Sequence, residues 1–438
     1  MQNRLAAIAG AFLICSTAAS ASELSDSVKA DYDGYLADLF DHFHRNPELS
    51  LAEFRTAERV AKELRGAGYE VTEGVGGTGV VGILENGAGP LVMMRADMDG
   101  LPVKEKTGLP YASKAQQRDP VTGVVGPVMH ACGHDMHMTS LIGSARQMAE
   151  RKDEWSGTLM LVAQPAEERG MGAKAMRADN IWERFGQPDY ALGLHVKVAD
   201  VAGIINVNPA PYAGVDSVDI VVHGVGGHGA YPHLTKDPIV IGSQIVLALQ
   251  TLVARELAPR TPGVVTVGAF HAGAKHNIIS DEAHLKITVR NTSPETRETL
   301  LNGIRRIAEN IGRAAGLPED KLPEVTIGNE SVPPLINDER LIARLKMAWI
   351  EEMGEDAVIS EQEVGMGGED FPFFTVNPTI SSVYWDVGGT PQEDFDREAA
   401  GRPAVAGHHS PLFKIAPETT VRAGVESTVV ALLELMGD

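Results

Sequence analysis

Residues 129–138, MHACGHDMHM, set three histidines, an aspartate and a cysteine within ten positions. Cys132 and His134 are one residue apart, so a short turn can point a thiolate and an imidazole to the same side. Those groups are donors for a zinc-like or manganese-like ion, and a bound metal keeps the thiolate deprotonated. A lone thiol has two other uses, as a small buried hydrophobe or as a nucleophile. The segment QPAEE adds Glu167 and Glu168 at the end of an apolar strand, where α/β sheets collect their active sites. Adjacent acids repel unless a cation or a proton separates their roles, so one can ligate while the other shuttles protons. A solvated acidic loop is the plainer alternative. His195 in GLHV directly follows an apolar strand, and His409 lies in GHHSPLF; a histidine standing alone is more often structural than functional. Together, Cys132, His134, Glu168, His195 and His409, with Glu167 to spare, make an open metal site of the kind that performs hydrolysis. It suits one ion or two sharing a water.

The elements that must position these groups alternate. Two helices are expected over residues 31–68, the second closing at Gly66 and Gly68, followed by the strands TGVVGILENG and GPLVMMRADMDGLPV. A helix over MTSLIGSARQMAERKDEW and the strands GTLMLVAQPAEE and YALGLHV come next, which predicts an α/β domain with a central, partly parallel sheet. Residues 213–328 change rhythm: strand, long helix, two strands, helix, strand. That β-α-β-β-α-β order is the ferredoxin-like unit, inserted between residues 22–212 and 329–438 of the first domain. The return contains the helix DERLIARLKMAWIEEMG, strands around SSVYWDV and a helix from Glu418.

Bulk composition narrows the classes. Residues 1–21 read as a secretory leader, with Arg4, the apolar run LAAIAGAFLIC and a small-residue ASA cleavage site ending at Ala21. Export to a periplasm or the medium follows; an N-terminal anchor is the alternative. No other stretch reads as long and apolar enough to cross a bilayer, so no membrane association is expected after leader removal. The net charge of −21 repels phosphate backbones and argues against nucleic acid. A hydrophobic share of 43% supports packed cores. Of the two cysteines, Cys15 falls in the leader, so Cys132 has no disulfide partner in the mature chain.

Eight collinear blocks from about residue 35 to 415 resemble metallopeptidase family 20: HRNPELSLAEFRTAERVAKELRGAGYEV, GGTGVVGILENG, RADMDGLPV, MHACGHDMHMT, QPAEE, GLHV, GGHGAYPHLTKDPI and GGEDFPFF. Within that family the chain is most similar to hippurate hydrolases, N-acyl-amino-acid amidohydrolases and auxin-conjugate hydrolases. The resemblance implies a metallopeptidase α/β catalytic domain with a central mixed sheet and an inserted lid that also dimerises. It implies two divalent ions (Mn²⁺, Zn²⁺, Co²⁺ or Ni²⁺) on Cys132, His134, Glu168, His195 and His409, with His134 bridging. Glu167 would be the general base, returning its proton to the leaving amine, and Asp99 would orient a metal ligand. His228 would reach a neighbouring subunit's site and stabilise the oxyanion. Asn277 and Arg290 would hold the free carboxylate of an N-acyl amino acid or small peptide. A homodimer or higher homo-oligomer is the expected assembly.

The chain departs from the family's usual wording at Gly100, Gly229 and Ser280, and in a long approach to His409, which leaves substrate preference open. GTGVVG at 77–82 matches a dinucleotide fingerprint, but a strand follows where a helix is required. Neither H-E-x-x-H nor G-x-S-x-G occurs. The competing readings are a dipeptidase or carboxypeptidase of the same family, a non-catalytic metal- or ligand-binding protein, and a thiol enzyme using Cys132.

Overall fold

Helices α1 (Ala37–Arg45) and α2 (Phe54–Gly66) are amphipathic, and α2 buries Ala57, Val60, Ala61 and Leu64 on one stripe. The chain leaves α2 through Gly68, whose φ of 91° is the left-handed turn that favours glycine. The strands that follow are β1 (Glu70–Val75), β2 (Gly79–Asn86), β3 (Leu91–Asp97), β4 (Gly157–Gln164), β5 (Tyr190–Val201) and β6 (Ile205–Asn206). Between β3 and β4 runs helix α3 (His134–Glu150). Strands β3 and β4 are buried almost continuously rather than alternately, the mark of strands covered on both faces.

The computed structural model describes residues 23–328, 331–361, 365–402 and 405–437; the leader expected at 1–21 lies outside them. Contacts divide the chain into two units. One comprises Met1–Pro211, Asn337–Gln362 and Phe373–Asp438; the other comprises Tyr212–Ile336 and Glu363–Pro372. The second unit thus takes in residues beyond 213–328. The Ala213 N–H donates to the Gly367 carbonyl at 2.8 Å, and Gly368 lies so close to Val215 that a side chain there would collide.

The second unit contains β7 (Gly214–His223), β8 (Gly227–His228), α4 (Pro238–Thr251), β9 (Gly263–Ala272), β10 (Ile278–Ile279), β11 (Glu282–Asn291), α5 (Pro294–Ala314) and β12 (Glu324–Ile327). Its sheet runs β9-β11-β7-β12, and β8 pairs with β10 beside it. Both helices start on caps: Asp237 accepts from Ile239 N and Ser293 from Thr296 N, each followed by proline at the first helical position. The stretch Pro238–Glu256 is long and apolar enough to cross a bilayer by length and composition, where the sequence reading saw no such segment. Here Ile241, Ile245, Leu249 and Leu252 pack into this unit's core with Val218 and Leu285. Its opposite face keeps Val240 and Leu247 exposed.

The chain re-enters the first unit with α6 (Glu339–Met353), β13 (Val358–Ile359), β14 (Ser381–Thr390) and α7 (Pro417–Met436). The sheet described there has eight strands, ordered β1-β2-β4-β3-β5-β14-β6-β13. Neighbours β4, β3, β5 and β14 are mutually parallel, whereas β1, β2 and β4 pair antiparallel. The sheet is therefore mixed, with helices packed on it. Helix α3 is buried on nearly every face, because α7 lies across it. Gly143 permits that approach, since a Cβ there would stand 2.5 Å from a Val425 methyl. Gly143→Val should cost about 1–3 kcal/mol in urea unfolding; an unchanged midpoint would show that the α3–α7 contact is loose.

Candidate metal centre

The parallel strands β3 and β4 deliver their carboxyl ends to one place, as open α/β sheets do at their binding crevices, and β5 passes the same place in mid-strand. From β3 come Asp97 and, just beyond it, Asp99; the turn after β4 brings Glu167 and Glu168; β5 brings His195. The sequence reading set His195 directly after its strand, but β5 continues to Val201 because β14 pairs with it along its length. Helix α3 begins at His134, four residues before the expected start. Its N-cap, Gly133, has φ 87°, and a side chain there would strike Val196. His409 also takes a left-handed φ of 64°, with its N–H held by the Ala131 carbonyl at 2.8 Å.

These placements converge. Several groups have donor atoms within 4.8 Å of one another, among them Cys132 with His134 and His195, Cys132 with Glu168 and His409, His134 with Glu167 and Glu168, and Asp97 with His134 and His137. The Cys132 Sγ is 3.5 Å from His195 Nε2, and His409 Nε2 is 3.4 Å from Glu168 Oε2. His195 Nδ1 lies 2.7 Å from the Val196 carbonyl. It must carry the proton to bond there, which leaves the Nε2 lone pair facing the thiol.

His137, in the same dense segment, is differently committed. Its Nε2 accepts the Val196 N–H at 2.8 Å and its Nδ1 lies 2.6 Å from Asp97 Oδ1. Both ring nitrogens are used, so His137 braces the site instead of ligating. Asp97 is itself held by Arg95 at 2.7 Å. Burial would favour its neutral acid, but the facing His134, Arg95 and His137 hold it well below the usual carboxylate range. His130 is fully buried, and burial drives it down to about 4, so it stays neutral.

Charge explains what the pocket lacks. Burial, then the Glu168 and Glu167 charges, pushes the Cys132 thiol well above its ordinary value. Burial opposes a charge on His134, yet Asp97 and Asp99 raise it to about 10. Burial raises Glu168 to about 7 despite that imidazole. Four carboxylates press on one thiol and one imidazole, and the protonated forms are the answer when no cation is supplied. Buried His134 Nε2 and Glu168 Oε1, 3.8 Å apart, find no hydrogen-bond partner among the described residues. Orphaned donors of mixed softness in a negative pocket fit divalent ions. Cys132, His134, Glu168, His195 and His409 are the residues that would hold them.

Asp99 sits behind this shell. Its Oδ1 is 3.3 Å from His134 Nδ1, and its oxygens accept the N–H groups of Glu167 and Glu168 and the Ser50 hydroxyl. Buried Glu53 accepts the Ala166 N–H beside them. Burial and the Asp99 charge push its carboxyl up to about 7. Neither Asp97 nor Glu53 was singled out from sequence. Asp97 was legible, since residues two apart at a strand end share a face; Glu53 was not, because its partners are backbone groups far along the chain.

In the second unit, His228 on β8 pairs with Ile278, and the Gly229 N–H donates to the Asn277 carbonyl at 2.9 Å, so His228 and Asn277 are neighbours. Arg290 lies near the opposite end of β11, about 26 Å along the strand from Glu282. Its guanidinium contacts the Thr288 hydroxyl. Arg290 thus stands toward the far end of β11 from the turn that carries Asn277.

Comparison with known proteins follows this geometry. Residues 93–410 match the profile of Peptidase family M20/M25/M40. The chain is 39% identical to a hippurate hydrolase of Campylobacter jejuni, over 78% of this chain and 86% of that one. It is 36% identical to a thermostable carboxypeptidase of Saccharolobus solfataricus, over 80% and 85%. Among solved structures it superposes on a dinuclear metal binding peptidase from the M20 family of Bacillus subtilis. That match has a TM-score of 0.74 and 27% identity, covering 93% of this chain and 99% of that one.

A buried imidazolium braces α3 from outside the donor set. His44 lies 2.7 Å from Asp135 and 3.3 Å from Glu105; burial opposes its charge, but these hydrogen bonds outweigh it and raise His44 to about 10. Its folded value lies above the unfolded one, so its stabilisation is complete below about pH 6.5 and lost as pH rises through 10. An NMR titration of the His44 ring should give a midpoint near 10; one near 6.5 would show the ion pairs are not formed.

Proposed function

The chain belongs to peptidase family M20/M25/M40 and is a metal-dependent hydrolase of amide bonds, and on that footing we propose that it cleaves N-acyl amino acids of the hippurate type. The observation that carries the reading is the meeting of Cys132, His134, Glu168, His195 and His409 around one pocket, with Glu167 beside them. Two divalent ions, drawn from Mn²⁺, Zn²⁺, Co²⁺ or Ni²⁺, would supply Lewis acidity toward the amide carbonyl and acidify water there. Glu167 takes the proton of the attacking water and hands it to the leaving amine nitrogen. Its neighbour Glu168 serves as ligand, so the adjacent acids divide the work.

His228 is assigned to the oxyanion, as a hydrogen-bond donor where charge develops, and it acts on the site of a neighbouring copy. The second unit supports a dimer: β9 is an edge strand, and beside it α4 presents Val240 and Leu247, the latter 72% exposed. An unpaired edge next to an apolar helix face is a surface that a second copy can cover. The separation of Asn277 from Arg290 accords with a carboxylate clamp whose two halves come from different copies. Residues 1–21 support export. A carboxypeptidase reading is the second candidate, favoured by the solfataricus relative, and the two differ in whether a free α-amino group is accepted.

Glu167→Gln should lower hippurate turnover about 10²- to 10⁴-fold while elemental analysis finds the metal content unchanged; full turnover would remove the base assignment. Leu247→Asp combined with Val240→Asp should yield monomers in sedimentation velocity and lose most turnover through the absent His228. Active monomers would refute the shared site.

A further inference from the structure

We propose that Glu53 is a positioning residue, a buried carboxylate that locks the left-handed backbone on which Glu167 and Glu168 are mounted. Glu53 is wholly buried, at 0% exposure. Its Oε1 accepts two backbone N–H groups, from Leu51 at 3.0 Å and Ala166 at 2.8 Å; its Oε2 accepts the Thr78 hydroxyl at 2.6 Å. Leu51 and Ala166 have φ of 68° and 50°. A left-handed conformation is unfavourable for a residue with a side chain and persists only where its surroundings over-determine it. One oxygen of one side chain therefore holds two such residues, from loops more than a hundred positions apart in sequence.

The consequence falls on the acids. Ala166 precedes Glu167, and its N–H points to Glu53, while the next two N–H groups, of Glu167 and Glu168, point to Asp99. Three consecutive amides are thus gathered by two buried carboxylates. The loop carrying Glu53 braces the second carboxylate too, because Ser50 donates to Asp99 at 2.6 Å. Were Ala166 to relax to the extended region, the peptide plane between it and Glu167 would turn and carry both acids with it. Thr78, in the turn between β1 and β2, fixes the plane of the Glu53 carboxylate. Glu53 is not among the groups proposed to touch substrate or metal; it acts through the backbone.

The inference rests on Glu167 as base and Glu168 as ligand, so its test needs a readout besides turnover. The full-length protein is loaded with Co²⁺, whose absorption spectrum reports ligand geometry. Glu53→Ala should weaken Co²⁺ binding or hippurate turnover by about 10- to 100-fold, as loss of a supporting partner commonly does, and should shift the Co²⁺ bands. Glu53→Gln keeps an oxygen for the two N–H groups and an amide that can donate to Thr78, so it should recover most of the loss and the original bands. Wild-type Co²⁺ affinity, spectrum and turnover in Glu53→Ala would overturn the proposal. So would a Gln variant as damaged as the Ala variant. Should Glu53→Ala not fold, Thr78→Val is read instead: a smaller shift of the same bands upholds the clamp, and an unmoved spectrum overturns it. A shifted spectrum in Glu53→Ala alongside full turnover in Glu167→Gln would leave the clamp standing and remove only the base assignment.

Discussion

The structure depends on an unbalanced charge. Asp97, Asp99, Glu167 and Glu168 are gathered around buried His134 and Cys132, and protein groups supply too little positive charge to match them. Arg95 answers Asp97, but no guanidinium or ammonium is described against Glu168. Such a cluster raises the proton affinity of its thiol and imidazole until a cation takes the protons' place. The same imbalance that makes the bare pocket costly makes it selective for divalent ions. A metal-bound thiolate would also need no disulfide partner, which fits the free thiol of Cys132.

The fold of the first unit brings those charges together and holds them still. Strands β3 and β4 end side by side and offer their following residues to one place, β5 contributes His195 from within the strand, and α3 starts there with His134 in its first turn. Around the donors runs a layer of buried polar contacts. It includes Arg95 on Asp97, Asp97 on His137, His137 on the Val196 amide, and Asp99 on Ser50 and the turn after Ala166. Every link uses an atom that would otherwise be an orphan in a dry interior. This layer fixes the donors relative to one another.

Much of this was legible in the order of residues. Periodicity predicts most of the helices and strands, and the βαββαβ rhythm is the order that residues 214–327 take. Errors fell where distant partners intervene. Strand β5 runs past His195 because β14 pairs with it, residues 365–372 join the second unit because Gly367 and Gly368 lie against Ala213 and Val215, and Pro238–Glu256 is apolar both on the face packed into that unit's core and on the face that leaves Val240 and Leu247 exposed.

What the sequence determined by itself was the kinds of donor and their local spacing: a cysteine and a histidine one residue apart, two adjacent glutamates after an apolar strand, and histidines at two later points. Side-chain chemistry and the pitch of a turn suffice for that. What the sequence could not supply was the physical reason that separates His134 from His130 and His137, three imidazoles within eight positions; only the tertiary structure supplied it. The Val196 amide and Asp97 occupy His137, burial alone surrounds His130, and Asp99 turns His134 toward the pocket. A histidine's role follows from which atoms meet its two nitrogens, and those atoms belong to strands that folding brings from elsewhere in the chain.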